Sequence, residues 1–275
     1  VEDVSKTEKL VEASPENSKQ KVHYRLKRDK RAWQIDDILL SQTKNGVAST
    51  KWVSEQMALF AAAREFIAAW EEGQGAAALE ISSPEFAESL GSLPPGYFET
   101  LAERISGEPA SKAKVRPQAQ LGENFAIVKV RRPTGEIVLS FEVHDGRWKV
   151  SDVAVEAGGD RPHVPSVRKM ASVIRTSLDF LQAYSDQDRS RLSEICKQTA
   201  FSRSLSAADL TAVALPDVSS GNTDYSVSIH GRRAFFEIPG QTEIVRLDLL
   251  GEANADDPGA PTQYTIEEVT VYELE

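Results

Sequence analysis

Trp148-Lys149-Val150-Ser151-Asp152-Val153 decides how this chain is read, because nearly the same phrase stands at Trp33-Gln34-Ile35-Asp36-Asp37-Ile38 and at Tyr264-Thr265-Ile266-Glu267-Glu268-Val269. From Trp33 to Trp148 is 115 positions and from Trp148 to Tyr264 is 116. A spacing of that size is far beyond a solenoid repeat and matches one small domain. Read at period two, each phrase places aromatic, aliphatic and acid on one face of a strand.

Working outward, Phe141 to His144 precedes Asp145-Gly146, a strong two-residue hairpin signal that joins it to the quoted strand. Strands are predicted over about 113–121, 124–132, 136–144 and 147–156. Before them a helical stripe of Val53, Met57, Phe60, Ala63, Ile67 and Trp70 spans about Lys51 to Glu72. Shorter helices follow through Leu79, at Ser83-Pro84-Glu85-Phe86 and over Tyr97 to Ile105.

The order then recurs. Val167, Met170, Ile174, Leu178, Leu181 and Tyr184 stripe a helix over about 166–185, and strands are predicted near 223–230, 232–239, 243–251 and 263–273. Phe66 to Trp70 aligns with Phe180 to Tyr184, and Leu79-Glu80-Ile81 with Ser193-Glu194-Ile195, all at an offset of 114; Phe86 aligns with Phe201 at 115.

Upstream of residue 50 only the end of such a unit is legible. Val22, Tyr24 and Leu26 alternate with His23, Arg25 and Lys27, and Asp29-Lys30-Arg31 turns that strand into the one holding Trp33 and Ile35. Leu10 lies in a further strand. Residues 1–19 otherwise read as a loose polar start, and Ser41 to Ser49 as a polar linker. The expected division is therefore a partial β segment over 1–49, a first domain over 50–157 and a second over 165–275.

A long helix, shorter helices and a curved antiparallel sheet whose last strand opens aromatic-x-aliphatic-x-acid is the order of the cystatin-like cone. The unit resembles the nuclear transport factor two-like superfamily, which includes ketosteroid-isomerase-like and polyketide-cyclase-like (SnoaL) members. The resemblance implies an α+β fold of tandem cones, each with a pocket between its long helix and its sheet.

The totals narrow function. The chain has 275 residues, 40% hydrophobic and 27% charged, with a net charge of −10, which argues against a nucleic-acid partner. Residues 1–49 hold ten bases and eight acids, whereas 250–275 hold seven acids and no base. No run approaches the roughly 18 apolar residues of a membrane span. A single Cys196 and four His offer no ligand spacing on one element, so no metal or other cofactor is expected. The first residue is Val, which leaves the compartment open, an exported or cell-envelope location included.

Asp152 and Glu268, with Asp37 in the matching place, are the candidate general bases, since a carboxylate on an apolar face has a raised pKa. The competing reading gives the same acids a bond to a backbone amide or an Arg at the rim of the sheet. Recurrence in every unit favours it. Neither His23, His144, His163 nor His230 is placed as an acid/base partner, and Cys196 reads as a small buried residue. Phe66, Trp70, Trp148, Phe180, Tyr184 and Tyr264 are candidates to line a pocket for a small apolar ligand, and equally to be core. The expected function is a non-catalytic binding or assembly module whose partner is another protein or a small apolar ligand. The alternatives are an isomerase- or cyclase-like enzyme using Asp152 or Glu268, and a carrier.

Overall fold

In the computed structural model the described residues are 2–13, 21–44, 47–93, 117–132, 135–157, 164–196, 225–240, 243–252 and 263–273. They form a mixed α+β structure of five helices and three antiparallel sheets. The expected helix over Tyr97 to Ile105, Phe201 and His163 lie outside the described residues.

The first sheet has five strands in sequence order, β1 (Glu2–Ser5), β2 (Glu8–Ala13), β3 (Lys21–Asp29), β4 (Ala32–Lys44) and β5 (Val47–Trp52). Two sequence expectations are corrected here. Within the described residues the start is not loose, because Glu2–Ser5 forms β1 and pairs with the strand expected at Leu10, β2, with Lys9 meeting Asp3 at 3.1 Å. The polar stretch after Leu40 is not a linker, because β4 runs on to Lys44 and pairs with β5 from Lys44↔Val47 to Leu39↔Trp52. Polar side chains are no bar to a strand where only one face needs to be apolar.

The α1 helix (Val53–Glu71) leaves β5 directly. It is followed by α2 (Gly75–Ile81) and α3 (Pro84–Gly91), the latter capped by Ser83, whose hydroxyl accepts the Phe86 N–H at 3.3 Å, with Pro84 in the first turn. The second sheet, β6 (Gln118–Leu121), β7 (Phe125–Arg132), β8 (Gly135–His144) and β9 (Arg147–Ala157), is again in sequence order. The Asp145-Gly146 turn has φ of 50° and 71°, the left-handed pair that lets a two-residue loop follow the strand twist.

The order recurs with α4 (Val167–Ser185), α5 (Arg189–Cys196) and the third sheet, β10 (Ser226–His230), β11 (Arg233–Pro239), β12 (Glu243–Glu252) and β13 (Gln263–Glu273). The α1 helix packs on β9, α4 packs on β13, β10 and β11, and α3 packs against α4. The core that results includes Leu59, Phe66, Leu139, Phe141, Val150, Phe180, Phe236, Leu247 and Ile266. Among the described residues no side chain of the first sheet belongs to it.

All three quoted phrases carry the same irregularity. Ser140 faces Asp152 but Phe141 faces Val150, so Ser151 is an extra residue in β9; Asp36 in β4 and Glu267 in β13 are extra in the same way. Such a bulge resets the alternation. Val150 and Val153 then both face the core, at 0% and 1% exposure, while Asp152 pairs with Ser140 on the opposite face. This corrects the period-two reading that put the acid on the aromatic's face.

Candidate functional site

The bulge aims its acid at a helix. Asp37 Oδ1 accepts the N–H of Ile38 at 2.8 Å and of Ser54 at 3.1 Å, and its Oδ2 accepts the Ser54 hydroxyl. Asp152 Oδ1 accepts the N–H of Val153 at 2.8 Å and of Arg168 at 3.0 Å, and its Oδ2 accepts the Ser166 hydroxyl at 2.5 Å. Ser54 and Arg168 are each the second residue of a long helix, α1 and α4. Each acid therefore caps the helix that opens the following unit, where the unpaired N–H groups and the positive end of the helix dipole favour a carboxylate. For α1 the need is plain, because Trp52 at its N-cap has no side-chain bond to give.

The electrostatics of the two sites differ. Burial pushes Asp152 up, more than its bonds from Ser166, Arg168 and Val153 push it down, so its carboxyl lies above the usual range. Burial also pushes Asp37 up, but Ser54, Ile38 and the nearby Arg25 outweigh it and hold the carboxyl low. Arg25 lies 3.5 Å from Asp37 and 2.8 Å from Asp36, with its guanidinium 4.6 Å from the Trp52 ring centre. The raised Asp152 is a feature of general bases, yet both its oxygens are taken by a helix start. Glu268 stands in the matching place on β13, facing Asp248, and is exposed. Among the described residues no helix follows it.

The aromatic candidates separate into two groups. Phe66, Trp70 and Phe180 are buried at 1%, 3% and 0% exposure, and Tyr184 packs against the same core. Phe66 stacks near Trp70 and Phe86, with centroids 5.4 and 6.4 Å apart. Trp148 and Tyr264, by contrast, border two open grooves that occupy matching places in the two units. The first, about 640 Å³, runs along Ala58, Ala61, Ala62, Glu65 and Glu80 to Trp148. The second, about 460 Å³, runs along Ser172, Arg175, Thr176, Asp179 and Glu194 to Tyr264. Their chemistry diverges. Alanines floor the first, whereas the second is crossed by Arg191, which binds Asp179 at 2.7 Å and Glu194 at 2.9 Å. Tyr264 is itself 5% exposed, and burial pushes its hydroxyl up.

Among the described residues the remaining reactive groups are a buried thiol and two histidine–carboxylate pairs on the sheets, none of them bordering either groove. Cys196 is buried at the end of α5, and burial pushes its thiol up to about 12, the opposite of an activated nucleophile. His23 meets Glu12 at 3.0 Å at the edge of the first sheet. Glu85, Glu142 and His144 bring ligand atoms within 4.8 Å of one another, a donor set that suits a divalent cation. Sequence spacing missed it because Glu85 comes from α3 and the other two from alternate positions of β8. Among the described residues no further ligand group joins these three, and His144 already meets Glu142 at 3.4 Å.

Among the described residues no helix is long and apolar enough to cross a membrane. No family model matches this chain, and no curated protein or solved structure matches it either.

Proposed function

We propose that this chain is a non-catalytic assembly module, built from tandem nuclear transport factor two-like cones joined in series. The observation that carries the reading is the double use of the strand-end acid. Asp152, one of the two candidate bases, and Asp37 in the matching place have both oxygens committed to the start of the next helix, while the other candidate, Glu268, is exposed on β13. A base so engaged cannot reach a substrate proton without uncapping a helix. The same acids tie each sheet to the helix that follows it, as units joined in series require.

The enzyme reading has a direct test. A pocket base that abstracts a proton beside a carbonyl exchanges that proton with solvent. An enolisable cyclic ketone is therefore incubated with the chain in D₂O and followed by NMR. Exchange at the rate of buffer alone agrees with an assembly module; faster exchange that Asp152→Asn or Glu268→Gln abolishes overturns it. The first groove, with its alanine floor and Trp148, favours a small apolar ligand as a second reading. Quenching of Trp fluorescence by such a ligand, lost in Ala61→Glu, is its test.

A further inference from the structure

Position by position, the three sheets present the same face to very different surroundings. Ile35, Val150 and Ile266 occupy one place in the repeated phrase, and they are 61%, 0% and 0% exposed. In the second and third sheets that face is covered by a 19-residue helix, α1 or α4. In the first sheet nothing covers it among the described residues.

The uncovered face is apolar along β3 and β4 and carries the Lys9–Asp3 pair beside Leu26 at its β1–β2 edge. Strand register puts Leu26 beside Ile35, and Val11 beside Tyr24 and Ile38. Leu26 and Tyr24 stand where Phe141 and Leu139 are buried in the second sheet. Trp33 and Leu40 extend the same face, each 36% exposed. An isolated apolar surface of this kind marks an interaction site. Its turn end is net basic: Arg28 pairs with Trp33 on that face, Lys30 and Arg31 follow Asp29 at the turn, and Lys9, bonded to Asp3 at 3.1 Å, sits over the Trp33 ring at 5.1 Å.

We propose that this face of β1 to β4 is a docking surface for an amphipathic α-helix of a partner protein, about five turns long and with acidic residues flanking its apolar stripe. The proposal rests on the assembly reading and names its partner. A helix is the occupant because the chain twice covers the same face with one. Acidic flanks follow from the basic turn end. Helix and sheet meet through side chains at three- and four-residue steps on one and at alternate positions on the other.

The probe is a fluorescein-labelled peptide with the sequence of α1, Val53–Glu71, which covers the matching face of the second sheet and carries three acids and one base. It is titrated into the whole chain by fluorescence anisotropy. Saturable binding is expected, weakened at least about tenfold by Ile35→Asp, which sets a charge in the centre of the contact. Gln34→Asp, which adds the same charge on the opposite face, is expected to leave it unchanged. A scrambled peptide of equal composition is expected not to bind. Both positions are exposed, and unchanged circular dichroism and melting establish that the variants fold.

Absence of binding at about 1 mM peptide overturns the proposal, as does equal binding by Ile35→Asp. Self-association in sedimentation that Ile35→Asp abolishes makes a second copy the occupant, and co-sedimentation with phosphatidylserine vesicles that the same variant abolishes makes it a membrane. Either result overturns the helix. Failure of the assembly reading is seen separately, in the deuterium exchange, which does not involve the first sheet.

Discussion

Asp152 in β9 accepts the backbone N–H of Arg168 in α4 at 3.0 Å, so the last strand of one unit holds the first turn of the next. Asp37 and Ser54 repeat the relationship at 3.1 Å. Two helices thus begin on acceptors that lie at least 14 residues upstream of them, which couples the stability of each helix to the sheet before it.

Removing either acceptor leaves helix donors and a serine hydroxyl unpaired. Asp37→Ala and Asp152→Ala are each expected to cost about 2 kcal/mol. Urea unfolding of each variant against the parent measures this. A loss below about 0.5 kcal/mol would mean that the caps are replaced by water.

The two acids are expected to respond to pH with opposite sign. Asp37 is held low in the fold, so its contribution is present above the ordinary carboxylate range, near ~4, and is lost as pH falls through its lower folded value. Asp152 is raised, so its contribution is greatest below that range and declines as pH rises through its folded value. Measured from about pH 3 to 7, the stability gap between parent and Asp37→Asn narrows toward acid, and that between parent and Asp152→Asn moves the other way. Parallel gaps would contradict the assignment.

Matching places in the repeat differ in energetic weight. Ile266→Ala, at a fully buried position, is expected to cost about 2–5 kcal/mol, and Ile35→Ala less than about 0.5. Thermal unfolding of the two single variants decides it.

The hairpin at Asp145-Gly146 depends on backbone freedom. A Cβ at Gly146 meets nothing within 4 Å, but φ is +71°, so Gly146→Ala is expected to cost about 1 kcal/mol through conformation alone. Gly91→Ala, also with open space and without the positive φ, is the control in the same unfolding measurement.

A thiol pushed up to about 12 and fully buried is expected not to react. Cys196 should titrate with Ellman's reagent at pH 8 only after denaturant is added. Rapid reaction in the native state would show that α5 opens.

Much of the framework was legible in residue order. The stripe of α4, the existence of α1, the Ser83-Pro84 cap and the Asp-Gly hairpin are local signals, set by side-chain period and by φ preference within a few residues; the face of α1 differs from the expected one, since Met57 is 63% exposed and Leu59 and Phe66 are buried instead. The strands at Glu2 to Ala13 are hidden in residue order because the stretch is polar in composition, while the contact that orders it is the pairing of β2 with β3, between residues 9 to 19 positions apart. The cluster of Glu85, Glu142 and His144 escaped for a similar reason, since it joins a helix to a strand more than 50 residues on.

What the sequence determined by itself is the repeat: three phrases at near-equal spacing, two of them preceded by the same stripe. What tertiary structure alone decided is the direction of the acid. One extra residue in each last strand turns Asp37 and Asp152 away from the core face and onto the next helix. A bulge is a matter of pairing between two strands, and neither strand records its register alone. Tertiary structure also decided that Ile35, alike in sequence to Val150 and Ile266, is left in solvent, because burial depends on which helix lies above a strand.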